Sequence, residues 1–295
     1  MNILLYFAVV LIWGTTWIAI FVQQHNAAIP VTVAVFWRFA LASAVLLLTL
    51  KLSGRLKRLS RQTHLYCLLQ GCTIFGINFI CFYHAAQWIN SGLESVIFSM
   101  AVCYNAVNSW IFFRQSPPAR FLPAVVLGIG GIIILFWPQL SENQVSPQLL
   151  AGIGLSALGT LGFSLGNMIS VRHKQQQQDT LTTTGYAMLY GALVMALLSL
   201  VMGYSLVPPG NIRWLGAVVY LAIIGSVCGF GAYFILLGRI GAAKASWSTL
   251  LFPLVALAFS AEFEGFVWDP HSIIGLICIS CGNFLMFIPV RSHRA

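Results

Sequence analysis

Acidic side chains are scarce: Asp and Glu together number 6 in 295 residues, and charged residues of either sign make up 7% of the chain. A soluble domain carries about 25% charged residues. With 59% hydrophobic residues, a soluble fold of this size is excluded, because much of any globular surface must face water. The mean hydropathy of +0.88 agrees. The chain reads as a polytopic membrane protein.

The opening stretch, "MNILLYFAVVLIWGTTWIAIFV", lacks a basic leading segment. Its apolar run also exceeds the roughly 7–15 residues of a secretory signal core. It is expected to form the first spanning helix. A continuous basic face is missing as well, although the net charge is +9, since the bases fall in short connections between apolar segments. That placement excludes a nucleic-acid partner and fits cytoplasmic loops of a membrane protein.

Chemistry-bearing clusters are equally thin. The seven cysteines all lie inside apolar segments, so no disulfide framework is expected. Cys278 and Cys281 have C-x-x-C spacing but read as small helix-packing residues. "GFSLG" at 162–166 matches the G-x-S-x-G nucleophile pattern, yet that motif needs a strand-to-helix turn. Gly159, Gly162 and Gly166 instead form a stripe suited to close helix contact. Without a paired nucleophile and base or a metal-ligand set, no enzyme activity, metal or cofactor is expected.

What is present is a series of long apolar runs. A spanning helix needs roughly 20 mostly apolar residues. Ten segments qualify: 3–22, 31–50, 65–87, 91–112, 121–138, 149–170, 182–203, 214–237, 246–263 and 272–290. The breaks carry turn chemistry, as in "RQSPPAR", "VPPGN" and "WDPH". With the N-terminus in the cytoplasm, one side receives Lys51, Arg55, Lys57, Arg58 and Arg61; Arg114 and Arg120; Arg172 and Lys174; Arg239 and Lys244; and Arg291 and Arg294. The other side receives only Arg213, and its connections hold Glu142, Glu262, Glu264 and Asp269. This asymmetry predicts ten spans with both termini inside.

The two halves resemble each other. Shifted so that Gly131 meets Gly282, Phe82 meets Tyr233, Gly92 meets Ala243, Phe98 meets Thr249 and Ala124 meets Gly275. Five helices per half is an odd number, so the halves must be inverted in the membrane. Inverted repeats are a signature of secondary transporters, whose substrate site lies near mid-membrane between the halves. The expected architecture is an all-α polytopic membrane protein with ten transmembrane helices as two inverted five-helix repeats, residues 1–145 and 146–295.

"LIWGTTWIAI" followed by "IPVTVAVFWRFALASAVLLL" resembles the opening of the EamA branch of the drug/metabolite transporter superfamily, as do "GINFICFYHAAQWINSGLESVIFS", "GRIGAAKASWSTLLFPLVAL" and "FEGFVWDPHSIIGLICISCGNFLMF". The resemblance covers nearly the whole chain. It implies ten helices in two inverted repeats, a central cavity, and export of amino acids, related metabolites or toxic compounds across the bacterial inner membrane. The expected partners are a small-molecule substrate and the lipid bilayer, and a monomer is compatible with the pattern. Three positions depart from the family pattern: Val102 replaces a proline that its counterpart Pro253 retains, Arg114-Gln115 replaces a usual acidic residue, and Glu94 replaces a small one.

Within the spans, Arg38 is the one base that topology does not explain. It lies roughly 12 Å from the outer end of helix 2 by helix rise, deep enough that it should face the bundle interior. Three roles are open to it: pairing with a substrate carboxylate, pairing with a protein acid, or binding backbone carbonyls. Glu94, on the first turn of helix 4, is the one acid well inside a span and is both a candidate partner for Arg38 and a candidate proton carrier. Trp13, Thr16 and Trp17 share a face of helix 1 too deep for an interfacial belt. Asn78, Tyr83, Tyr104, Asn105, Asn167, Tyr186, Tyr190, Tyr233, Trp247 and Ser248 should also turn inward, because polar groups are unfavourable against lipid. The candidate substrate-binding set is Trp13, Thr16, Arg38, Asn78, Tyr83, Glu94, Tyr104, Tyr190, Tyr233 and Trp247. Phosphate-bearing substrates, as of nucleotide-sugar carriers, would need more than one cavity base; an intramembrane enzyme and a non-transporting interaction protein are the readings of other classes.

Overall fold

A computed structural model describes residues 2–25, 28–117, 119–138, 146–245 and 248–285. Among these residues it contains ten helices and no strand. They are α1 (Asn2–His25), α2 (Val31–Leu52), α3 (Arg61–Ala85), α4 (Ser91–Phe113), α5 (Phe121–Leu135), α6 (Pro147–Gln175), α7 (Thr180–Val201), α8 (Ile212–Gly241), α9 (Ser248–Phe263) and α10 (Pro270–Leu285). Seven are long and apolar enough to cross a bilayer; α5, α9 and α10 are shorter apolar helices. Residues 286–290 of the tenth expected span lie outside the described residues.

The starts follow local side-chain chemistry. Ser60, Asn90, Ser146 and Asp179 each accept a backbone N–H three residues on, which satisfies donors that the first turn leaves open. At the end of α9, Gly265 adopts φ 71° and the Phe266 N–H reaches the Ser260 carbonyl at 3.2 Å. That glycine-closed cap folds the chain back over the last turn. Glu264, expected in an outer connection, therefore sits half-buried against the helix end.

Two helices widen into π-helical segments, α3 over Thr73–Ile77 and α8 over Leu221–Cys228. In the register that joins Gly131 to Gly282, these segments overlap. Such segments shift the phase of the helix and release backbone acceptors. α4 turns at Ser99–Met100 without the family's proline: Ser99 Oγ donates to the Val96 carbonyl at 2.6 Å, and the Met100 N–H bonds only three residues back. Hydroxyl back-bonding of this kind bends a helix.

The polarity of the fold is inverted relative to a soluble protein. Leu4, Leu48, Leu65, Leu122, Val126, Leu197 and Ile277 stand exposed, whereas Gln23, Arg38, Asn78, Glu94, Asn167 and Ser226 are buried. Lipid supplies no hydrophobic drive between helices, so close backbone approach matters. Where α5 meets α10, a Cβ on Gly131 would lie 2.7 Å from the Gly275 carbonyl oxygen, and a Cβ on Gly275 the same distance from that of Gly131. The α6 stripe works likewise: Gly159, Gly162 and Gly166 press against Asn78, Thr73 and Ile74 of α3. α2 packs along α7 and α1 along α9. The end that carries Lys51, Arg61 and Arg172 is called the basic end below.

Candidate functional site

Seven helices converge on a central cavity. α1 contributes Trp13, Thr16, Trp17 and Ile20; α2 contributes Arg38; α3 contributes Asn78, Phe79 and Phe82. Phe98 of α4, Phe163 of α6, Phe230 of α8 and Phe252 of α9 complete the lining. The cavity measures about 40 Å³, room for water but far short of the roughly 300 Å³ a small-ligand pocket takes. At this volume the cavity is too small to hold a metabolite.

Arg38 is held on three sides. Its Nε donates to Ser226 Oγ at 3.0 Å, and its guanidinium carbon sits 4.3 Å from the Phe79 ring centroid and 5.3 Å from that of Phe39. Ser226 is free to accept because its own hydroxyl hydrogen goes to the Leu221 carbonyl at 2.8 Å, five residues back in the π segment. Nη1 of Arg38 is buried and has no hydrogen-bond partner among the described residues. Trp17, on the same cavity, has a buried Nε1–H that is likewise unpartnered. Trp13 Nε1 donates to the Gly225 carbonyl at 3.4 Å, and Thr16 Oγ1 to the Trp13 carbonyl at 2.9 Å. The site thus presents two open donors, one of them cationic, in an aromatic box. Buried donors are costly to leave unmet, and a cationic one favours an anionic acceptor.

Arg38 and Glu94 form no ion pair among the described residues. Tyr83 is the side chain that senses both: its hydroxyl lies against the Arg38 guanidinium, and the Glu94 charge acts on it. Tyr83 Oη also donates to Gln23 Oε1 of α1 at 2.7 Å. Toward the basic end, Trp13 meets the Tyr233 ring at a tilt, 4.8 Å between centroids, and the Phe163 ring edge-on at 5.8 Å. Beneath them Asn167 Nδ2 donates to Tyr233 Oη at 3.1 Å and Asn105 Oδ1 at 3.3 Å.

Of the sequence candidates, Trp13, Thr16, Arg38 and Asn78 line the cavity. Asn78 Nδ2 donates to the Gly159 carbonyl at 2.8 Å, so its amide also ties α3 to α6. Tyr83 and Tyr233 are fully buried but are not among the residues that line the cavity. Glu94 stands behind Tyr83. Tyr104 faces a separate groove of about 510 Å³ bounded by α4, α5 and α6, and Tyr190 bonds His64 Nδ1 at 3.0 Å near the basic end. Trp247 lies outside the described residues. Ser164 of "GFSLG" is buried mid-helix and accepts from Asn108 Nδ2 at 2.8 Å. No cluster of three metal-ligating side chains occurs among the described residues. Gln23, Ser226 and the ring of phenylalanines escaped the sequence reading. An aromatic cluster leaves no polarity signal in an apolar helix, and Ser226 faces α2 only because of the π segment.

Ten helices around an internal polar site define an all-helical multi-pass membrane protein. The chain belongs to the EamA-like transporter family, whose model matches residues 1–137 and 150–288. It is 23% identical over 297 residues to "Protein PagO" of Salmonella typhimurium strain LT2, across 98% of this chain and 95% of that one. It is also 23% identical to "Uncharacterized transporter YoaV" of Bacillus subtilis strain 168, with 94% of each chain covered. A solved crystal structure superposes with a TM-score of 0.69 over 97% of this chain and 96% of its own, at 17% identity, a likeness of fold.

Proposed function

We propose that the protein exports small carboxylate-bearing metabolites, amino-acid-like compounds first, from the bacterial cytoplasm across the inner membrane. The observation that carries this reading is the pair of unpartnered donors, Arg38 Nη1 and Trp17 Nε1, on one aromatic-walled cavity. A carboxylate offers two acceptor oxygens, one for each donor, and the surrounding rings suit an apolar or ammonium-bearing remainder. A site of about 40 Å³ has to expand to admit such a molecule. Residues 1–145 and 146–295 are read as inverted halves that rock about it, with the basic end and both termini in the cytoplasm. The matching placement of the π segments in α3 and α8 supports that reading, since each offers a bending point beside the cavity.

Reconstitution into liposomes with a panel of labelled amino acids, their decarboxylated amines and sugar phosphates tests the proposal. Wild type should move a carboxylate-bearing member, and Arg38→Ala should lower that flux by roughly 10- to 100-fold, the loss of one charged hydrogen bond. Equal flux through both proteins removes Arg38 from the substrate site.

A further inference from the structure

A second polar cluster stands away from the cavity, where α4 begins and α9 ends. The two helices touch closely there: a Cβ on Gly92 would meet Leu257 Cδ2 at 2.8 Å and Ser260 Cβ at 2.9 Å. The Gly265 turn holds Glu264 against this contact. Glu264 Oε2 accepts the Ser91 backbone N–H at 2.8 Å and the Ser260 hydroxyl at 2.7 Å. Its Oε1 is buried without a partner. Ser91 Oγ is also buried without a partner, and Ser91 is 1% exposed. Glu94, three residues further along the same helix face, is 0% exposed, and neither of its carboxylate oxygens meets a hydrogen-bond donor.

Four buried oxygens, on three side chains, thus lack a positive partner. Glu264 is the charged group whose field acts on Glu94, so each carboxylate makes the other's burial harder. The first turn of α4 supplies partial positive charge to Glu94, and neither carboxylate has an ion-pair partner among the described residues. We propose that Glu94, Glu264 and Ser91 form a binding site for one small monovalent cation, H+ or Na+. A proton would add to a Glu94 carboxylate oxygen as an O–H bond with no bond broken; Na+ would take the same oxygens as ligands, the hard donors it prefers.

The surroundings connect this site to the cavity. Just past α9, Glu264 lies close enough for its charge to act on Glu94; the Glu94 charge acts in turn on Tyr83 of α3, whose hydroxyl lies beside Arg38 of α2. α1 contributes the uncharged Gln23 through Tyr83, and the titratable groups of α6, Arg172, His173 and Lys174, sit at its opposite end. Filling the site removes a negative charge from the field at Tyr83, which touches the guanidinium at the cavity. The site itself stands on this geometry; only its coupling to export rests on the transport reading above.

Infrared difference spectra of the purified full-length protein in detergent test the site without any transported substrate. Between alkaline and acidic pH, wild type should show the carbonyl stretch of a buried carboxylic acid, and Glu94→Gln, if monodisperse by gel filtration, should lack it. NaCl added at constant pH should abolish the band if Na+ shares the site, whereas an effect no larger than that of KCl assigns the site to H+ alone. Glu264→Gln keeps an oxygen for the Ser91 N–H but removes the neighbouring charge. It should move the band's midpoint to lower pH by about one unit or more, and this variant decides the matter if Glu94→Gln fails to fold. A band unchanged in Glu94→Gln, an unmoved midpoint in Glu264→Gln, or a wild type with no cation-sensitive carboxyl band overturns the proposal. Because no metabolite is present, these outcomes are independent of whether the cavity moves a carboxylate.

Discussion

Arg38 on α2 and Ser226 in the π segment of α8 share one hydrogen bond of 3.0 Å, and that bond aims the guanidinium. With Nε committed to Ser226 and the cation resting on Phe79, Nη1 is left buried without a hydrogen-bond partner among the described residues, on a side chain that lines the cavity. Ser226→Ala should therefore act twice. It leaves a buried charged donor unmet, which costs about 1–3 kcal/mol of stability, read as a lower melting temperature in detergent. It should also raise the KM for a transported carboxylate. Ser226→Thr, which keeps the acceptor, should restore KM more fully than Ser226→Ala.

Trp17 supplies the second open donor. Trp17→Phe keeps an aromatic ring against Phe82 and Phe98, which it meets at 5.1 and 5.7 Å, while deleting Nε1–H. The expected result is a roughly 3- to 10-fold higher KM for carboxylate substrates with thermal stability nearly unchanged. Trp13→Phe would instead remove the bond to Gly225 and should lower stability as well.

The α5–α10 pair rests on backbone contact. Gly131→Ala places a methyl group 2.7 Å from the Gly275 carbonyl oxygen, which no side-chain rotation can relieve. Overpacking of this kind costs about 1–3 kcal/mol. The variant should melt earlier than wild type yet keep its substrate preference, since neither helix lines the cavity.

Asp269 gives the fold a pH-dependent cap. Its Oδ1 accepts the Ser272 N–H at 2.6 Å at the start of α10, and His271 Nδ1 lies 3.9 Å from Oδ2. Burial alone would raise this carboxyl, but the Ser272 hydrogen bonds and His271 outweigh it and hold it below its ordinary value. A carboxyl lowered in the folded state stabilises the protein fully above its unfolded value, near pH 4, and loses that contribution as pH falls through the folded one. The melting-temperature gap between wild type and Asp269→Ala should thus shrink as pH falls below about 4.

Much of this architecture is legible in the sequence because lipid leaves so few options. Long apolar runs and one-sided bases mark the spans, and a lone Arg38 in "FWRF" has to face inward. The residues that give Arg38 its role are harder to read. Ser226 reaches α2 because the α8 π segment rotates it there, and helical periodicity does not encode that rotation. Glu264 follows the last turn of α9 and looks like a loop acid until the Gly265 turn folds it back onto Ser91. Phe98, Phe163 and Phe252 look no different from lipid-facing aromatics in helices apolar on every side. Tyr104 and Tyr190 show the converse: burying a polar tip needs only a helix–helix contact, not the central cavity.

The central claim is that Arg38 holds a substrate carboxylate. A binding cycle tests it most directly, pairing wild type and Arg38→Gln, whose amide can still reach Ser226, with the best-transported carboxylate and its carboxamide analogue. The account predicts that each change alone weakens binding roughly 10-fold or more and that both together weaken it little further, a coupling on the order of 1–3 kcal/mol. Losses that simply add would show that the guanidinium and the carboxylate do not meet, and would contradict it.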